Sequence, residues 1–265
     1  MNHQKKNHSV KVVLITGAGE GIGKATALAF AAEGWRVACL GRHAENTGAT
    51  VDEIESDGGQ ALLITTDISE WEEMQKAVED IQEEWGRLDA VFANAGINGV
   101  WAPLEELEAD EFNKTIQINL NGTFHTIKAA TPLLKKRGGS VVITSSVNGT
   151  RLFSNSGATA YSCTKAAQVA MMKMLALELA ADGIRVNCIC PGAISTSIDD
   201  NTEQRTSGET GYPVDYPEGK VPLTHGSAGS PEDCANVVFF LCSEQASHLT
   251  GSNLYVDGAQ ALLQG

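Results

Sequence analysis

Seven short apolar runs alternate with helical stretches, and no other feature of the sequence limits the fold as severely. The runs are VKVVLITG (10–17), RVACLG (36–41), ALLITTD (61–67), LDAVFANAG (88–96), SVVITSS (140–146), IRVNCICPG (184–192) and SNLYVDG (252–258). Several are apolar on both faces, the pattern of strands buried on both sides in a parallel sheet. Between them the sequence predicts helices over roughly 22–33, 44–57, 70–85, 108–136, 160–181 and 231–243. Strands and helices taken in turn give an α/β fold: a single doubly wound domain whose seven-stranded parallel sheet is flanked by helices. No repeat, low-complexity tract or linker divides residues 10–265, and residues 1–9 are read as a polar, flexible N-terminus.

Bulk properties narrow the function. Hydrophobic residues make up 42% and charged residues 20% of the chain, a balance that predicts a soluble globular protein. Runs such as VVLI and AVFA are too short to span a bilayer, and MNHQKKNHSVK has no apolar signal core. A net charge of −14 repels nucleic acid and anionic lipid, so neither is an expected partner. Cys188 and Cys190 would share one strand face, but no further ligands accompany them and no metal is predicted. Cysteines scattered through apolar segments fit a reducing cytoplasm. Two stretches break the rhythm: the Ser/Thr/Asn/Gly-rich loop 147–159, and the polar, turn-rich segment at about 195–230. The second is long enough to predict a substrate lid.

The first strand runs into TGAGEGIG (16–23) and then into a helix. Glycines let the backbone turn sharply and approach a pyrophosphate, and a helix N-terminus supplies N–H groups and a positive dipole end. The common G-x-G-x-x-G spacing fails, because Ile22 stands where its third glycine would fall. What fits is T-G-x-x-x-G-x-G through Gly17, Gly21 and Gly23. A tight turn alone can use such glycines, but strand, loop and helix in this order favour a nucleotide and a Rossmann-type fold.

A second motif, AYSCTKAA (160–167), puts Tyr161 and Lys165 one turn apart on a helix face. Alone it is weak. In chain order, however, stand the Thr16–Gly23 loop, Ala-Asn-Ala-Gly at 93–96, Asn119 in INLNGTF, Ser-Ser-Val at 145–147, Tyr161-x-x-x-Lys165 and Pro191-Gly192. Together they resemble the short-chain dehydrogenase/reductase family, and within it the 3-oxoacyl-ACP-reductase-like members. The resemblance covers roughly residues 10 to 260. It departs at Ala93, where the family usually has asparagine.

The resemblance implies an NAD(P)-dependent oxidoreductase moving a hydride between nicotinamide and a small carbonyl/alcohol substrate. It gives catalytic roles to Asn119, Ser146, Tyr161 and Lys165. An unperturbed tyrosine titrates near about 10, so a neighbouring ammonium is what makes Tyr161 a usable proton relay. By the same resemblance Lys165 also holds the nicotinamide ribose, Ser146 polarises the substrate oxygen, and Asn119 holds a water linking Lys165 to solvent. Ser145 and Asn121 face elsewhere. The implied cofactor contacts are Gly17, Gly19, Glu20, Gly21, Ile22 and Gly23 in the loop, with Asp67 and Ile68 at the adenine end. Asn94, Ala95 and Gly96 follow, Asn94 pinning the strand and Gly96 allowing close approach. Tyr161, Lys165, Pro191 and Gly192 complete the set, with Ile194 and Thr196 on the carboxamide.

Cofactor choice rests on Gly41 and Arg42, which replace the acidic residue that would bind an adenosine ribose and exclude a phosphate. Arg42 offers a guanidinium to a 2′-phosphate. Glu20 argues the other way, and His43 can assist. NADP is favoured over NAD. Substrate identity is less constrained: acidic residues in 195–230 argue mildly against acyl thioesters, and Arg151 near the expected mouth is either a carboxylate binder or a surface residue. The helix AAQVAMMKMLALELA (166–180) is apolar round most of its circumference, which suits an interface. The resemblance implies a homotetramer, or a homodimer, with AQALLQG as a second contact. Two other readings remain. A non-catalytic dinucleotide sensor or regulatory subunit would need a broken catalytic set, and all four residues are present. An isomerase or epimerase is expected to run longer, whereas this chain ends soon after its last strand.

Overall fold

The computed structural model describes residues 10–196, 198, 202–205 and 221–264. In chain order the elements begin with β1 (Val12–Thr16), α1 (Gly21–Ala32), β2 (Arg36–Gly41), α2 (Ala44–Ser56), β3 (Gln60–Thr65) and α3 (Trp71–Trp85). Next come β4 (Ala90–Ala93), β5 (Gly99–Trp101), α4 (Ala109–Ile116), a π-helical turn (Gln117–Asn121), α5 (Gly122–Leu134) and β6 (Gly139–Thr144). The last are α6 (Thr159–Glu178), β7 (Ile184–Pro191), β8 (Thr202–Gln204), α7 (Pro231–Cys242), β9 (Asn253–Val256) and α8 (Gln260–Gln264).

Seven strands form one parallel sheet in the order β3-β2-β1-β4-β6-β7-β9. Strand alternation explains why the runs are apolar throughout. Val12 and Leu14 enter a core with Met74 and Ile81 of α3, Ile127 of α5 and Met172 of α6. Val13 and Ile15 enter the opposite core with Phe30 of α1, Ile54 of α2 and Val238 of α7. Burying each such large side chain contributes about 1.5–3 kcal/mol, so both faces must be covered by helices. The winding reverses between β1 and β4, which opens a crevice at the carboxyl ends of these strands.

Two details correct the expected elements. The helix predicted over 108–136 is interrupted by the π turn at Gln117–Asn121. β5 and β8, which no periodicity announced, pair in parallel as a separate two-stranded sheet. Residues 1–9, expected to be flexible, and most of the expected lid (197, 199–201 and 206–220) lie outside the described residues. Among the described residues no helix is long and apolar enough to cross a membrane.

Candidate active site

At the carboxyl edge of the sheet lies a cleft of about 490 Å³. Its floor is set by backbone that tolerates no side chain. Gly17 and Gly21 have φ of +68° and +51°, the left-handed region that favours glycine. A Cβ on Gly23 would stand 1.9 Å from the Gly17 carbonyl oxygen, so the loop and the first turn of α1 interlock only through glycine. Glu20 makes no side-chain cap to α1, and the first turn holds no acidic residue. The leading N–H groups of that helix therefore lack a carboxylate competitor for a phosphate. This loop fits a dinucleotide pyrophosphate.

The opposite wall comes from the ends of β4 and β6. Asn94 Nδ2 donates to the Thr16 carbonyl (3.2 Å) and Thr144 Oγ1 donates to Asn94 Oδ1 (3.0 Å), tying three strand ends together. Ala93 is buried in the sheet. At the β2 end of the cleft Arg42 Nη2 lies 3.5 Å from His43 Nε2. A Cβ on Gly41 would fall 2.2 Å from Thr47 Oγ1, so any side chain there would require the Thr47 hydroxyl to swing away. Asp67 Oδ1 accepts from the Ser69 amide and hydroxyl, a local turn that starts α3.

Tyr161 and Lys165 lie in the first half of α6, Tyr161 8% and Lys165 3% exposed. Lys165 Nζ sits 5.3 Å from the centre of the Tyr161 ring and donates to the Thr144 carbonyl (2.8 Å). No carboxylate among the described residues pairs with it, and burial pulls its pKa from 10.5 down to about 8. Ser145 donates to the Lys165 carbonyl (2.8 Å), fixing the helix to β6. Ser146 Oγ accepts from the Asn148 amide (3.1 Å), which leaves its hydrogen to donate elsewhere. Asn119, in the π turn, spends its amide on the Ile97 backbone, accepting from its N–H and donating to its carbonyl (2.8 Å each), and also donates to Thr164 Oγ1 (3.2 Å). Its main-chain carbonyl accepts from Thr123 and Gln168. Asn119 thus locks the segment after Gly96 to α6.

A family model described as enoyl-(acyl carrier protein) reductase matches residues 17–259. A crystal structure of a 3-ketoacyl-ACP reductase from Sinorhizobium meliloti is 53% identical, with a TM-score of 0.92 over 95% of this chain and 99% of that one. The chain belongs to the short-chain dehydrogenase/reductase family. 3-oxoacyl-[acyl-carrier-protein] reductase FabG of Thermotoga maritima is 36% identical, covering 94% of this chain and 96% of its own. A Brucella melitensis 3-ketoacyl-(acyl-carrier-protein) reductase complexed with NADH is 30% identical, with a TM-score of 0.83 over 95% and 98% of the two chains. As a member of this family the protein is an NAD(P)-dependent oxidoreductase of carbonyl/alcohol pairs.

Read against a short-chain dehydrogenase/reductase site, the cleft gathers most of the predicted residues. Gly17, Gly19, Glu20, Gly21, Ile22, Arg42, Asp67, Ile68, Asn94, Ala95 and Gly96 line it, as do Ser146, Tyr161, Lys165, Pro191, Gly192, Ile194 and Thr196. Gly23 and Asn119 stand behind the lining. Arg151 is not in it: its guanidinium carbon stacks 3.6 Å from the centre of the Tyr255 ring. The sequence reading missed Asn46, Thr47, Thr66, Ile97, Ile118, Thr144 and Ile198, which also line the cleft. It also missed Gln260, whose Oε1 accepts from the Ala193 amide (2.8 Å) and fixes the turn after Pro191. These are ordinary residues whose roles come from the fold, so only Thr144, beside Ser145, was within reach of the sequence.

Proposed function

We propose that this protein reduces a small, free carbonyl compound to its alcohol with NADPH, using Tyr161 as the proton donor. The observation that carries the reading is the buried Lys165 ammonium beside Tyr161, in the same cleft as the glycine loop. Gly17–Gly23, Asp67, Ile68 and Asn94–Gly96 would hold the dinucleotide, with Pro191, Gly192, Ile194 and Thr196 at its nicotinamide end. The bound nicotinamide supplies the hydride. Tyr161 gives its phenolic proton to the substrate oxygen, and the Lys165 charge favours the phenolate left behind. Ser146 donates a hydrogen bond to the same oxygen as charge builds on it. Lys165 restores the proton and is recharged from solvent, and Asn119 holds the Lys165 helix and the Gly96 segment in register. Arg42, with His43, would bind the 2′-phosphate. A chain of net charge −14 works against an anionic carrier-bound thioester, which favours free carbonyls.

We further infer a cytoplasmic homo-oligomer of two or four chains. Phe124 on α5 and Met174 and Leu177 on α6 leave 45%, 70% and 81% of their surface exposed, large apolar side chains of the kind a two-fold contact covers.

The test is NADPH oxidation across a panel of ketones, aldehydes and keto acids, wild type against Tyr161→Phe. Turnover on one class that falls by about 10³-fold or more in the variant, with NADPH affinity kept, is the expected result. Undiminished turnover in Tyr161→Phe overturns the assignment.

A further inference from the structure

Beside Tyr161, outside the residues that line the cleft, the chain carries a cluster of contacts that no cofactor role accounts for. Of the residues of β8, Thr-Glu-Gln, only Thr202 favours a strand, yet all three run parallel to β5 with Gly99 opposite Thr202 and Trp101 opposite Gln204. Side chains hold both ends of the pairing. Asn98 Nδ2 donates to Thr202 Oγ1 (2.8 Å), and past the far end the Arg205 amide donates to the Trp101 carbonyl (2.8 Å). The Arg205 guanidinium then forks onto both oxygens of Glu111 in α4, at 2.6 and 3.1 Å, with Glu203 also bonded to it (2.8 Å). Glu111 is itself fixed, because its Oε2 accepts from the Glu108 amide in a capping box (3.1 Å). Trp101 closes the chain of contacts: its indole N–H donates to the Asn98 carbonyl (3.3 Å), and its ring lies 6.3 Å from that of Tyr161, tilted by 43°.

We propose that Arg205 is a positioning residue which, through β8, holds Trp101 as an apolar wall beside Tyr161, so that the site selects carbonyl compounds presenting a flat or ring-shaped apolar face. The substrate part rests on the oxidoreductase reading above. A planar guanidinium is required because only a fork engages both carboxylate oxygens while a main-chain bond is kept alongside; a lysine ammonium would satisfy one. A planar indole in turn offers a broad apolar face at low entropic cost, which suits a ring more than a short chain.

The full-length chain labelled with 5-fluorotryptophan reports on this directly by ¹⁹F NMR, the Trp101 signal being assigned with Trp101→Phe. Arg205→Lys, Arg205→Gln and Glu111→Gln should each move the Trp101 signal and leave those of Trp35, Trp71 and Trp85 in place. Amide exchange at Trp101 and Arg205 should quicken by about tenfold in the same variants. Cyclohexanone, used as the ring-ketone probe, should shift the wild-type Trp101 signal and require about tenfold more to do so in Arg205→Gln. An unmoved Trp101 signal in Arg205→Gln and in the milder Glu111→Gln overturns the anchor. A wild-type signal indifferent to saturating cyclohexanone overturns the wall. NADPH titration of the same samples separates the two readings, since loss of NADPH binding would sink the oxidoreductase assignment and leave the anchor result standing.

Discussion

The cleft and the proposed wall beside Tyr161 are built by opposite means. The glycine end of the cleft is made of backbone: Gly17, Gly21, Gly23 and Gly41 stand where a Cβ would strike a carbonyl, a hydroxyl or a neighbouring loop, or where φ is positive. The proposed wall is made of side chains: Trp101, Asn98, Arg205 and Glu111, joined across about a hundred residues of sequence. Close packing makes the first intolerant and rigid. The second rests on polar contacts that are partly open to water, with the Arg205 and Glu111 side chains 31% and 22% exposed. A rigid cradle with a side-chain-built wall lets one fold keep its cofactor while changing its substrate.

The largest effect that would break this contrast is at Gly23. Gly23→Ala should destabilise the protein by about 3 kcal/mol and abolish dinucleotide binding, read by urea unfolding and NADPH fluorescence. A silent substitution would mean that the loop yields and the cradle is not rigid.

Lys165→Met separates stability from chemistry. A lysine whose pKa falls from 10.5 to about 8 on folding costs the fold ~3 kcal/mol below pH 8, where both folded and unfolded chains carry the proton. As pH rises from 8 to 10.5 the unfolded chain still binds the proton and the folded one does not, so the cost is progressively relieved. Wild-type apoprotein should therefore gain stability between pH 8 and 10. Lys165→Met should lack that gain, be more stable at pH 7, and turn over at least about 100-fold more slowly. Equal pH slopes in urea unfolding would count against a charged, unpaired Lys165.

Arg42→Ala sharpens the cleft side of the comparison. NADPH affinity should drop by about tenfold and NADH affinity stay within about twofold, measured by paired fluorescence titration. An equal loss of both would assign Arg42 to the loop and leave the 2′-phosphate unread.

The smallest effect belongs to Glu111. Its hydrogen bond from Arg205 holds the carboxyl below its ordinary value, so the pair adds stability above the unfolded pKa and loses it as pH falls through the folded one. Glu111→Gln should flatten only the acid limb of the unfolding profile and leave NADPH binding unchanged. A change at neutral pH in dinucleotide affinity would join the two parts that the structure keeps apart.

Legibility in the sequence followed the same division. Strands buried on two faces announce themselves as apolar runs, and glycine positions announce backbone constraints, so the sheet and much of the cleft lining were readable. The π turn at Gln117–Asn121 was not, because α and π stretches share composition. Asn119 could be singled out, but its clamp on Ile97 emerges only once the backbone is in place. β5 and β8 left no signal, since three-residue strands carry no period and a lone β-branched Thr202 beside Glu203 and Gln204 does not mark a strand. Arg151 was drawn toward the mouth by proximity in sequence, whereas Tyr255, distant in sequence, offers it a ring face. Gln260 reaches Ala193 from the far end of the chain, a contact no local pattern encodes.

The most direct test of the central claim is a fluorescence titration of NADPH into the wild-type protein. Enhanced emission saturating with a Kd on the order of 10 μM is predicted for the pre-built cradle. No binding of either NADPH or NADH at concentrations up to about 1 mM would contradict the account, whatever the family resemblance.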